Sequence, residues 1–315
     1  MAVISTGKLT LPADLHKNLI QLEQDDSVVA RLRPAENFKF GDTEFVSLDS
    51  VGEAEFVGES QPKSSIDAAF GGFVAKTRKA HIGIRISQEV QWASEDDQLN
   101  QLGGILGALG VKIRRALDFG VIHATNPRTG YELDGAPAHI AGTSYSRTQS
   151  AKFDEDIEAA VSLLIEGSDG RVIPNGVAMD AVAAHGLRGL RDTTGRRLYP
   201  DVPLDPRALG NFDGLSIAVG ETVRGRGVLK TAGDPEAEPP TEESPRDSKV
   251  LALLGDWQKG LRWGVAREIG LTVIPYGDPD NTGRDLAGHN EILVRAEVAY
   301  VWYVDPTRFA KVVAP

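Results

Sequence analysis

The segment from Asp278 to His289 has the residue types of a calcium-binding loop, with acidic side chains at alternate positions and a glycine near its centre. Asp278 and Asp280 would fill the first and third ligand positions, and Gly283 would supply the sharp turn at the sixth. Thr282 stands at the fifth position, however, and His289 replaces the glutamate that would bind the ion through both oxygens. Because Ca²⁺ takes about six to eight oxygen ligands, too few remain, and we expect an ordinary solvated turn without a metal ion.

Nothing else in the sequence has the residue pattern of a catalytic or cofactor-binding site. Phosphate-binding and dinucleotide-binding glycine loops, the zinc motif His-Glu-x-x-His and the nucleophile motif Gly-x-Ser-x-Gly are all missing. The histidines are dispersed, without a pair at metal-ligand spacing: His16, His81, His123, His139, His185 and His289. We therefore predict no catalytic residue, no cofactor and no metal. Catalytic groups can meet in a fold from distant positions, so a cytosolic α/β enzyme stays an alternative.

Composition limits the classes of protein that the chain can represent. With 315 residues, of which 41% are hydrophobic, it can bury a substantial core. It contains no cysteine, which excludes disulfides and thiolate chemistry, and no apolar run long enough for a membrane span or a secretory signal. The formal net charge of −11 disfavours a nucleic-acid-binding protein, but it suits a surface that lies near DNA without gripping it.

The first 78 residues contain little that could form a core alone. Residues 1–38 hold one short amphipathic segment and read as an arm that lies on another surface. Residues 39–78 contain two β-rich runs, Glu44–Leu48 and Ala54–Val57, which predict a long hairpin-like excursion. The apolar residues of this excursion have no evident local core, so we expect a neighbouring chain to bury Phe45, Phe56 and Val57.

Regular elements follow the excursion. Alternation over Lys79–Ser87 predicts a half-buried strand. After a capping serine at position 94, leucines and isoleucines at intervals of three or four predict a helix of about thirty residues. The remaining predicted elements are helices at Phe153–Ile165 and Ala181–Arg191 and strands at Val172–Met179, Val250–Gly255, Gly264–Pro275 and Glu291–Asp305. The acidic, proline-rich residues 232–248 predict a solvated insert that the fold does not need.

Several stretches, in order along the chain, resemble the major capsid proteins of tailed bacteriophages, the shells of the Hong Kong 97 type. The stretches are Phe56-Val-Gly-Glu-Ser-Gln61, Ile84-Arg-Ile-Ser-Gln-Glu89, Gly176–Met179 through Leu187–Tyr199, Gly255-Asp-Trp257, Asn290–Glu297 and Val304-Asp-Pro306. Their order and spacing, with the long helix between them, cover nearly the whole chain. The resemblance implies an α+β fold of this type.

The resemblance also implies a division of the chain. The expected parts are an N-terminal arm at 1–38, an extended loop at 39–78, a peripheral domain at 79–150 to which 276–315 return, and an axial domain at 151–275 that carries the insert 232–248. The implied function is that of a structural subunit, not an enzyme, which assembles into hexamers and pentamers of an icosahedral shell around double-stranded DNA. The expected subunit contacts lie in the extended loop, at Phe45, Phe56, Val57, Glu59 and Lys63.

One member of the family cross-links its subunits covalently. A lysine of the loop attacks an asparagine of another subunit, and a glutamate acts as the base. Asn290 and Glu297 stand at the matching places of this chain. At the place of the lysine stands Ser60, and the nearest lysine is Lys63, beyond Pro62. Three residues of extended chain span about 10 Å, far more than a bond-forming attack tolerates. We therefore expect noncovalent shells.

The arm begins close to Met1, which leaves no room for the cleaved scaffolding segment of some relatives. The expected partners are therefore other copies of the chain, a separate scaffolding protein or none, a portal, and in some shells a decoration protein, with no membrane and no sequence-specific binding of DNA. The shell is expected to assemble in the cytoplasm of a bacterial host. An encapsulin-like compartment, which has the same fold and encloses a cargo enzyme, is the second alternative.

Overall fold

The computed structural model describes residues 27–50, 56–59, 61, 69–88, 95–205, 208–231 and 244–315. Its α-helices are α1 (Val28–Leu32), α2 (Glu95–His123), α3 (Phe153–Gly167), α4 (Ala181–Gly189) and α5 (Trp257–Gly260). Its strands are β1 (Glu36–Asn37), β2 (Thr43–Ser50), β3 (Ala69–Ala75), β4 (Arg78–Ser87), β5 (Tyr145–Thr148), β6 (Gly176–Met179), β7 (Leu209–Phe212), β8 (Leu215–Val219), β9 (Lys230–Thr231), β10 (Ser244–Pro245), β11 (Val250–Gly255), β12 (Leu261–Ile274), β13 (Glu291–Val304) and β14 (Phe309–Val313). No helix in these ranges is long and apolar enough to cross a membrane.

A four-stranded sheet in the order β1-β12-β13-β4 forms one half of the fold. One face of β13 presents alternate residues to the core, among them Val298, Tyr300 and Trp302. The long helix α2 covers this face, because Leu109, Ile113, Leu117 and Val121 recur every fourth residue and form one buried stripe. Burial of this stripe is what stabilises so long a helix, and the predicted helix of about thirty residues is confirmed.

A six-stranded mixed sheet in the order β5-β14-β11-β6-β8-β7 forms the other half. Both faces of its central strands are buried. Residues such as Val177 and Leu254 pack with α3 and α4 on one side, and Ala178 and Leu253 join the core of α1 and α2 on the other. Strands that are buried on both faces read as continuous apolar runs, which explains why Val250–Gly255 was predictable from its sequence.

The sheets divide the chain differently from the predicted domain boundaries. Strand β12, expected in the axial part, pairs with β13 over most of its length in the four-stranded sheet. Strands β5 and β14, both expected in the peripheral part, pair with each other and join the six-stranded sheet through β11. The divisions at residues 150 and 275 therefore do not follow the sheets, because each sheet recruits strands from distant parts of the sequence.

Several local predictions need correction. The hairpin partner of β2 is β3 and not Ala54–Val57, of which residues 56 and 57 lie outside any strand. The strand predicted from Val172 is limited to β6. Strands β7 and β8 were not predicted, because they are short and separated by a tight turn. The predicted capping serine of α2 and the amphipathic segment of the arm lie outside the described residues.

The acidic insert is less independent than predicted. Its last residues form β10, which pairs antiparallel with β9 and closes a two-stranded ribbon. Asp247 then accepts hydrogen bonds from the guanidinium of Arg224 at 2.6 and 3.0 Å, and this ion pair holds the pKa of Asp247 at about 2. Residues 244–248 are thus bound to the fold, and the predicted solvated insert is shorter than 232–248.

The arm is also bound to its own chain over residues 27–38, the part that the structure describes. Val28, Val29 and Leu32 of α1 are buried in the core shared with α2. Gly220 permits this approach, since a side chain there would meet Val28 at 2.3 Å. The expectation that residues 27–38 lie on some other surface is therefore wrong: these residues are an integral part of the subunit.

A buried carboxylate fixes this part of the arm. Asp118 of α2 is 1% exposed and accepts hydrogen bonds from the Ser27 hydroxyl at 2.5 Å and from the backbone N–H groups of Val28 and Val29 at 3.1 and 3.2 Å. It also accepts one from the Thr222 hydroxyl at 2.8 Å. Burial raises the pKa of Asp118, while these four hydrogen bonds oppose the rise. One side chain of the long helix thus holds the start of α1 and the turn after β8.

The next buried polar side chain of α2 reaches the same turn. His123 is 4% exposed, and its Nε2 lies 2.9 Å from the carbonyl oxygen of Thr222. Burial lowers the pKa of His123 to about 4, because the charged imidazolium would lose its hydration. Burial therefore favours the neutral imidazole, and the tautomer with its proton on Nε2 can still donate to the Thr222 carbonyl.

Replacing Asp118 by Ala should lower the free energy of unfolding of the isolated subunit by about 3 kcal/mol or more, because several buried donors lose their acceptor. Replacement by Asn, which keeps one acceptor oxygen, should cost less. Chemical denaturation followed by circular dichroism measures both. The exposed Glu158 on α3 provides a control, and its change to Ala should stay within about 0.5 kcal/mol. Equal effects at the two positions would contradict the role given to Asp118.

The His123 environment predicts a pH dependence. The unfolded chain takes up a proton at a pKa near 6.5 and the folded chain only near 4, so the stabilisation is complete above 6.5 and is lost as the pH falls toward 4. The difference corresponds to about 3 kcal/mol. Denaturation curves at pH 7 and at pH 4.5 should therefore lie closer together for His123→Gln than for the unchanged chain. His185→Gln, at an exposed histidine, should leave the loss of stability between pH 7 and pH 4.5 as it is in the unchanged chain. If His123→Gln also leaves this loss unchanged, the pH dependence does not come from His123.

Candidate assembly site

The base of the β2–β3 hairpin packs on its own subunit through aromatic rings. Phe45 is 8% exposed, with its ring centroid 5.7 Å from that of Phe38 and 5.9 Å from that of Tyr303. The guanidinium of Arg262 lies 4.6 Å from the Phe45 ring, a cation–π contact. Across the hairpin, Phe73 is paired with Phe45 in the ladder and stacks on Tyr303 at 4.6 Å. The expectation that Phe45 lacks a local core is therefore wrong.

The far part of the excursion has a different environment. Phe56 is fully exposed, Val57 is 37% exposed, and Glu59 is exposed as well. Lys63 lies outside the described residues. On the hairpin itself Phe73 is 37% and Val74 55% exposed. Large apolar side chains that face water in a subunit mark surfaces that another molecule covers. The structure therefore separates the predicted contact residues into a buried base and an exposed end.

The acidic turn after β12 is filled by a cation of the protein itself. The guanidinium of Arg85 on β4 donates to Asp278 at 2.8 Å, to both oxygens of Asp280, and to Glu291 at 3.3 Å. Asp278 also accepts from the backbone N–H groups of Thr282 and Gly283 at 3.0 and 2.7 Å. Arg85 thus occupies the place that a metal ion would need, and the turn is an ion-paired anchor instead of a freely solvated one.

The charges of this anchor stabilise each other. Hydrogen bonds from Arg85 hold the pKa of Asp280 at about 2, and the same contacts raise the pKa of Arg85 above its ordinary value. The buried side chain of Leu286 fixes the other end of the turn. The anchor positions the residues that follow, among them Asn290, whose carbonyl oxygen accepts a hydrogen bond from Gln88 at 2.7 Å.

The two positions that match the cross-linking asparagine and glutamate do not meet within the subunit. Asn290 is exposed and has a left-handed backbone, with φ of 52°, just before β13. Glu297 lies seven residues further along the strand, about 23 Å away at the usual rise. Its carboxylate forms an ion pair with Arg295 at 3.7 Å, and its ladder partners are His81 and Ile269. Any reaction between these groups would need a second subunit.

Sequence reasoning missed the side chains that hold these surfaces in place. Among the positions of α2 whose burial the structure describes, from Gly107 to His123, Asp118 is the one buried acidic residue. A carboxylate inside an apolar stripe is a signal that could have found it. The link between Arg85 and the acidic turn could not be found this way, because nearly 200 residues separate the partners in sequence and only the pairing of β4 with β13 brings them together.

Comparison with known proteins identifies the fold. No protein-family model matches the chain, and no curated protein matches it. A solved structure from Mycobacterium phage Ogopogo is 35% identical, with 93% of each chain covered and a TM-score of 0.73. A second, from Gordonia phage Cozz, is 25% identical and covers 92% of this chain and 87% of its own, with a TM-score of 0.69. A capsid of an empty GTA particle has the same fold, with a TM-score of 0.57 at 12% identity and coverage of 92% and 90%.

The chain therefore belongs to the major capsid proteins of tailed bacteriophages and has the Hong Kong 97 type of α+β fold. The predicted family and fold class are confirmed. It is a structural subunit of a virion capsid shell, and its relatives of known structure are capsid components, not enzymes.

The different environments of two phenylalanines yield a paired prediction. Phe45→Ala removes a ring buried against its own subunit and should lower the free energy of unfolding by about 3 to 5 kcal/mol. Phe56→Ala should change it by less than about 0.5 kcal/mol, because that ring has no packing to lose within the subunit. Denaturation of dissociated subunits measures both values. A large loss of subunit stability in Phe56→Ala would show that the exposed end is packed on its own chain.

Proposed function

We propose that this chain assembles into hexamers and pentamers of an icosahedral shell that encloses double-stranded phage DNA. The observation that carries the proposal is the contrast within the extended loop, whose base is held by Phe45 and whose end exposes Phe56 and Val57. A rigidly held base directs the exposed end toward a neighbouring subunit. The likeness to phage structures over 93% of the chain supports the same conclusion.

The energetics favour assembly through many equal contacts. Burial of an exposed phenylalanine or valine by a neighbour contributes about 1.5 to 3 kcal/mol. One such contact is too weak to hold two subunits together, since association costs about 4 to 15 kcal/mol of lost freedom. Each subunit of a closed shell both donates its loop and receives that of a neighbour, so the gains accumulate around every symmetry axis.

The remaining features of the proposal follow the family. Assembly takes place in the cytoplasm of the bacterial host, with a separate scaffolding protein or none, a portal at one vertex and, in some shells, a decoration protein. In this proposal the part with the four-stranded sheet is the peripheral domain, and the part with the six-stranded sheet is the axial domain that meets its copies around the five-fold and six-fold axes. DNA is enclosed without sequence-specific contacts.

Electron microscopy of the purified protein, expressed alone and with its phage, tests the proposal. We expect closed shells, which contain DNA when they come from infected cells. Small shells around a cargo protein would favour an encapsulin-like compartment, and a soluble monomer with turnover of a small molecule would favour an enzyme. The double variant Phe56→Ser with Val57→Ser should yield folded subunits that no longer form closed shells. Normal particles from this variant would show that the exposed end of the loop is not needed for assembly.

We further propose that the shells are noncovalent. Glu297 is paired with the guanidinium of Arg295, which is a charged setting, whereas a base for isopeptide formation needs an apolar one that favours proton uptake. A protonated lysine has no lone pair for attack on Asn290, so the base is essential to that chemistry. The ion pair therefore supports a structural role for Glu297.

Mature particles boiled in detergent should release one band near the monomer mass of 33.8 kDa. The physical reason is that detergent and heat disrupt hydrophobic contacts and ion pairs but leave isopeptide bonds intact. Gel electrophoresis of wild-type particles and of Lys63→Arg particles checks this. A ladder of higher bands that disappears in Lys63→Arg would show that the loop lysine reaches Asn290 of a neighbour.

A further inference from the structure

A groove of about 1130 Å³ runs along the free edge of β4, the last strand of the four-stranded sheet. Helix α2, residues 125–128 and 133–134, residues 279–281 of the acidic turn and four residues of β13 line the groove together with β4. Residues 78–83 of β4 line the groove, a length of about 20 Å along the strand. The groove belongs neither to the hairpin nor to the positions that resemble a cross-link.

Cationic side chains from four separate segments converge on this groove. They are Arg78, Lys79, Lys112, Arg115, Arg128 and Arg295, against the two carboxylates of Asp134 and Asp280. With the lining histidine His81 neutral, the groove carries a net charge of about +4. Arg115, Arg295 and Asp280 are each already paired with an opposite charge, so the unpaired charges of the groove sum to about +3, which still attracts anions.

Only two of these six cations form an ion pair with a residue that the structure describes. Arg115 pairs with Glu221 and Arg295 with Glu297, and Arg78 donates to the Asp134 carbonyl and lies over the Trp302 ring. Lys79, Lys112 and Arg128 form no ion pair with any residue that the structure describes. Like charges held close together repel, and an anionic ligand would relieve this repulsion.

We propose that this groove binds the phosphate backbone of nucleic acid without regard to base sequence. The proposal rests on the proposed enclosure of DNA and names the surface of the subunit that contacts it. Phosphate contacts come from arginine, lysine and backbone N–H groups. The groove offers all three, because the outer edge of β4 has no neighbouring strand among the described residues.

The lining residues favour nucleic acid over an acidic protein segment. Protein interfaces are depleted of lysine and other charged groups at their centres, whereas nucleic-acid interfaces are strongly positive and polar. Lys112 and Arg115 lie one helical turn apart on α2, whereas Lys79 and Arg295 alternate with the core-facing residues of their strands and project from the other face of the sheet. Positive charge therefore flanks the edge of β4 on both faces. A phosphate chain laid along the edge would meet cations on either side.

The net charge of −11 does not oppose this proposal. Screening limits each charge to a distance of about 8 to 10 Å at physiological salt, so a phosphate in the groove responds mainly to the cations beside it. The acidic remainder of the surface repels DNA and keeps binding weak and local. Such weak binding suits a shell that must both admit and release its contents.

Fluorescence anisotropy with two labelled DNA duplexes of unrelated sequence, each about 20 base pairs, tests the groove between about 50 and about 200 mM salt. We expect the unchanged protein to bind both duplexes alike. Lys112→Glu with Arg128→Glu should weaken binding at least about tenfold and reduce the slope of log affinity against log salt by about two, one for each lost phosphate contact. The matched control, Arg171→Glu with Lys259→Glu, makes the same charge change at exposed cations outside the groove and should weaken binding less than about twofold.

Equal weakening in the two double variants would overturn the proposal, because it would show a response to net charge alone. Displacement of the DNA by polyglutamate at equal charge concentration would also overturn it in favour of an acidic protein partner. Circular dichroism checks folding, and Lys112→Gln with Arg128→Gln replaces a variant that fails to fold. Electron microscopy of the same samples distinguishes a failure of this proposal from a failure of the proposed function. If the groove variant forms shells and keeps its affinity for DNA, the groove is not the DNA-binding surface, but the proposed function stands. If the wild-type chain forms no shells, the proposed function itself is wrong.

Discussion

The buried carboxylate of Asp118 is the interaction on which the remaining architecture depends. It receives donors from α1, which precedes the hairpin, and from Thr222, which follows the central strands of the six-stranded sheet. The carboxylate itself lies on α2, which covers the four-stranded sheet. An ionised group without partners would be expelled from such a core, so its satisfaction requires all three segments to be in place at once. The arm, the long helix and the six-stranded sheet are therefore formed as one unit.

The attachment of α1 to Asp118 fixes where the β2–β3 hairpin begins. The carbonyl oxygen of Arg33, at the end of α1, accepts a hydrogen bond from the Trp263 indole. Strand β1 then lies beside Gly264, where a Cβ atom would meet the Glu36 carbonyl oxygen at 1.9 Å. Only glycine permits this contact. The chain thus enters the hairpin from a fixed position, and the Phe45 cluster fixes its base again on β13. The two strands of the hairpin thus leave the subunit from a base that is held in place before any neighbour arrives, which lowers the entropy cost of assembly.

Long periodic elements were predictable because their burial pattern repeats within one segment. Helix α2, strand β4 and strand β11 agree with their sequence patterns within a few residues. The assignment of strands to sheets was not predictable, because β14 finds its partners β11 and β5 at distant positions and each is short. The same limit applies to the site: sequence identified Phe56 as an exposed apolar residue but could not show that Phe45, in the same run, lies against Tyr303. Burial depends on what the tertiary fold places opposite a residue, and propensity does not contain that information.

The cations of β4 show why charge must be read in three dimensions. Arg85 and Lys79 both lie on this strand, yet Arg85 is saturated by three carboxylates that the β12–β13 connection brings to it. Lys79 lies six residues back, forms no ion pair with any residue that the structure describes, and lines the groove with Lys112 and Arg128. The charge of Arg85 is neutralised by carboxylates of its own subunit, so Arg85 stabilises the fold and does not attract an external anion. The charge of Lys79 stays available to an external anion. Strand β4 therefore carries both a structural anchor, Arg85, and part of the proposed binding surface.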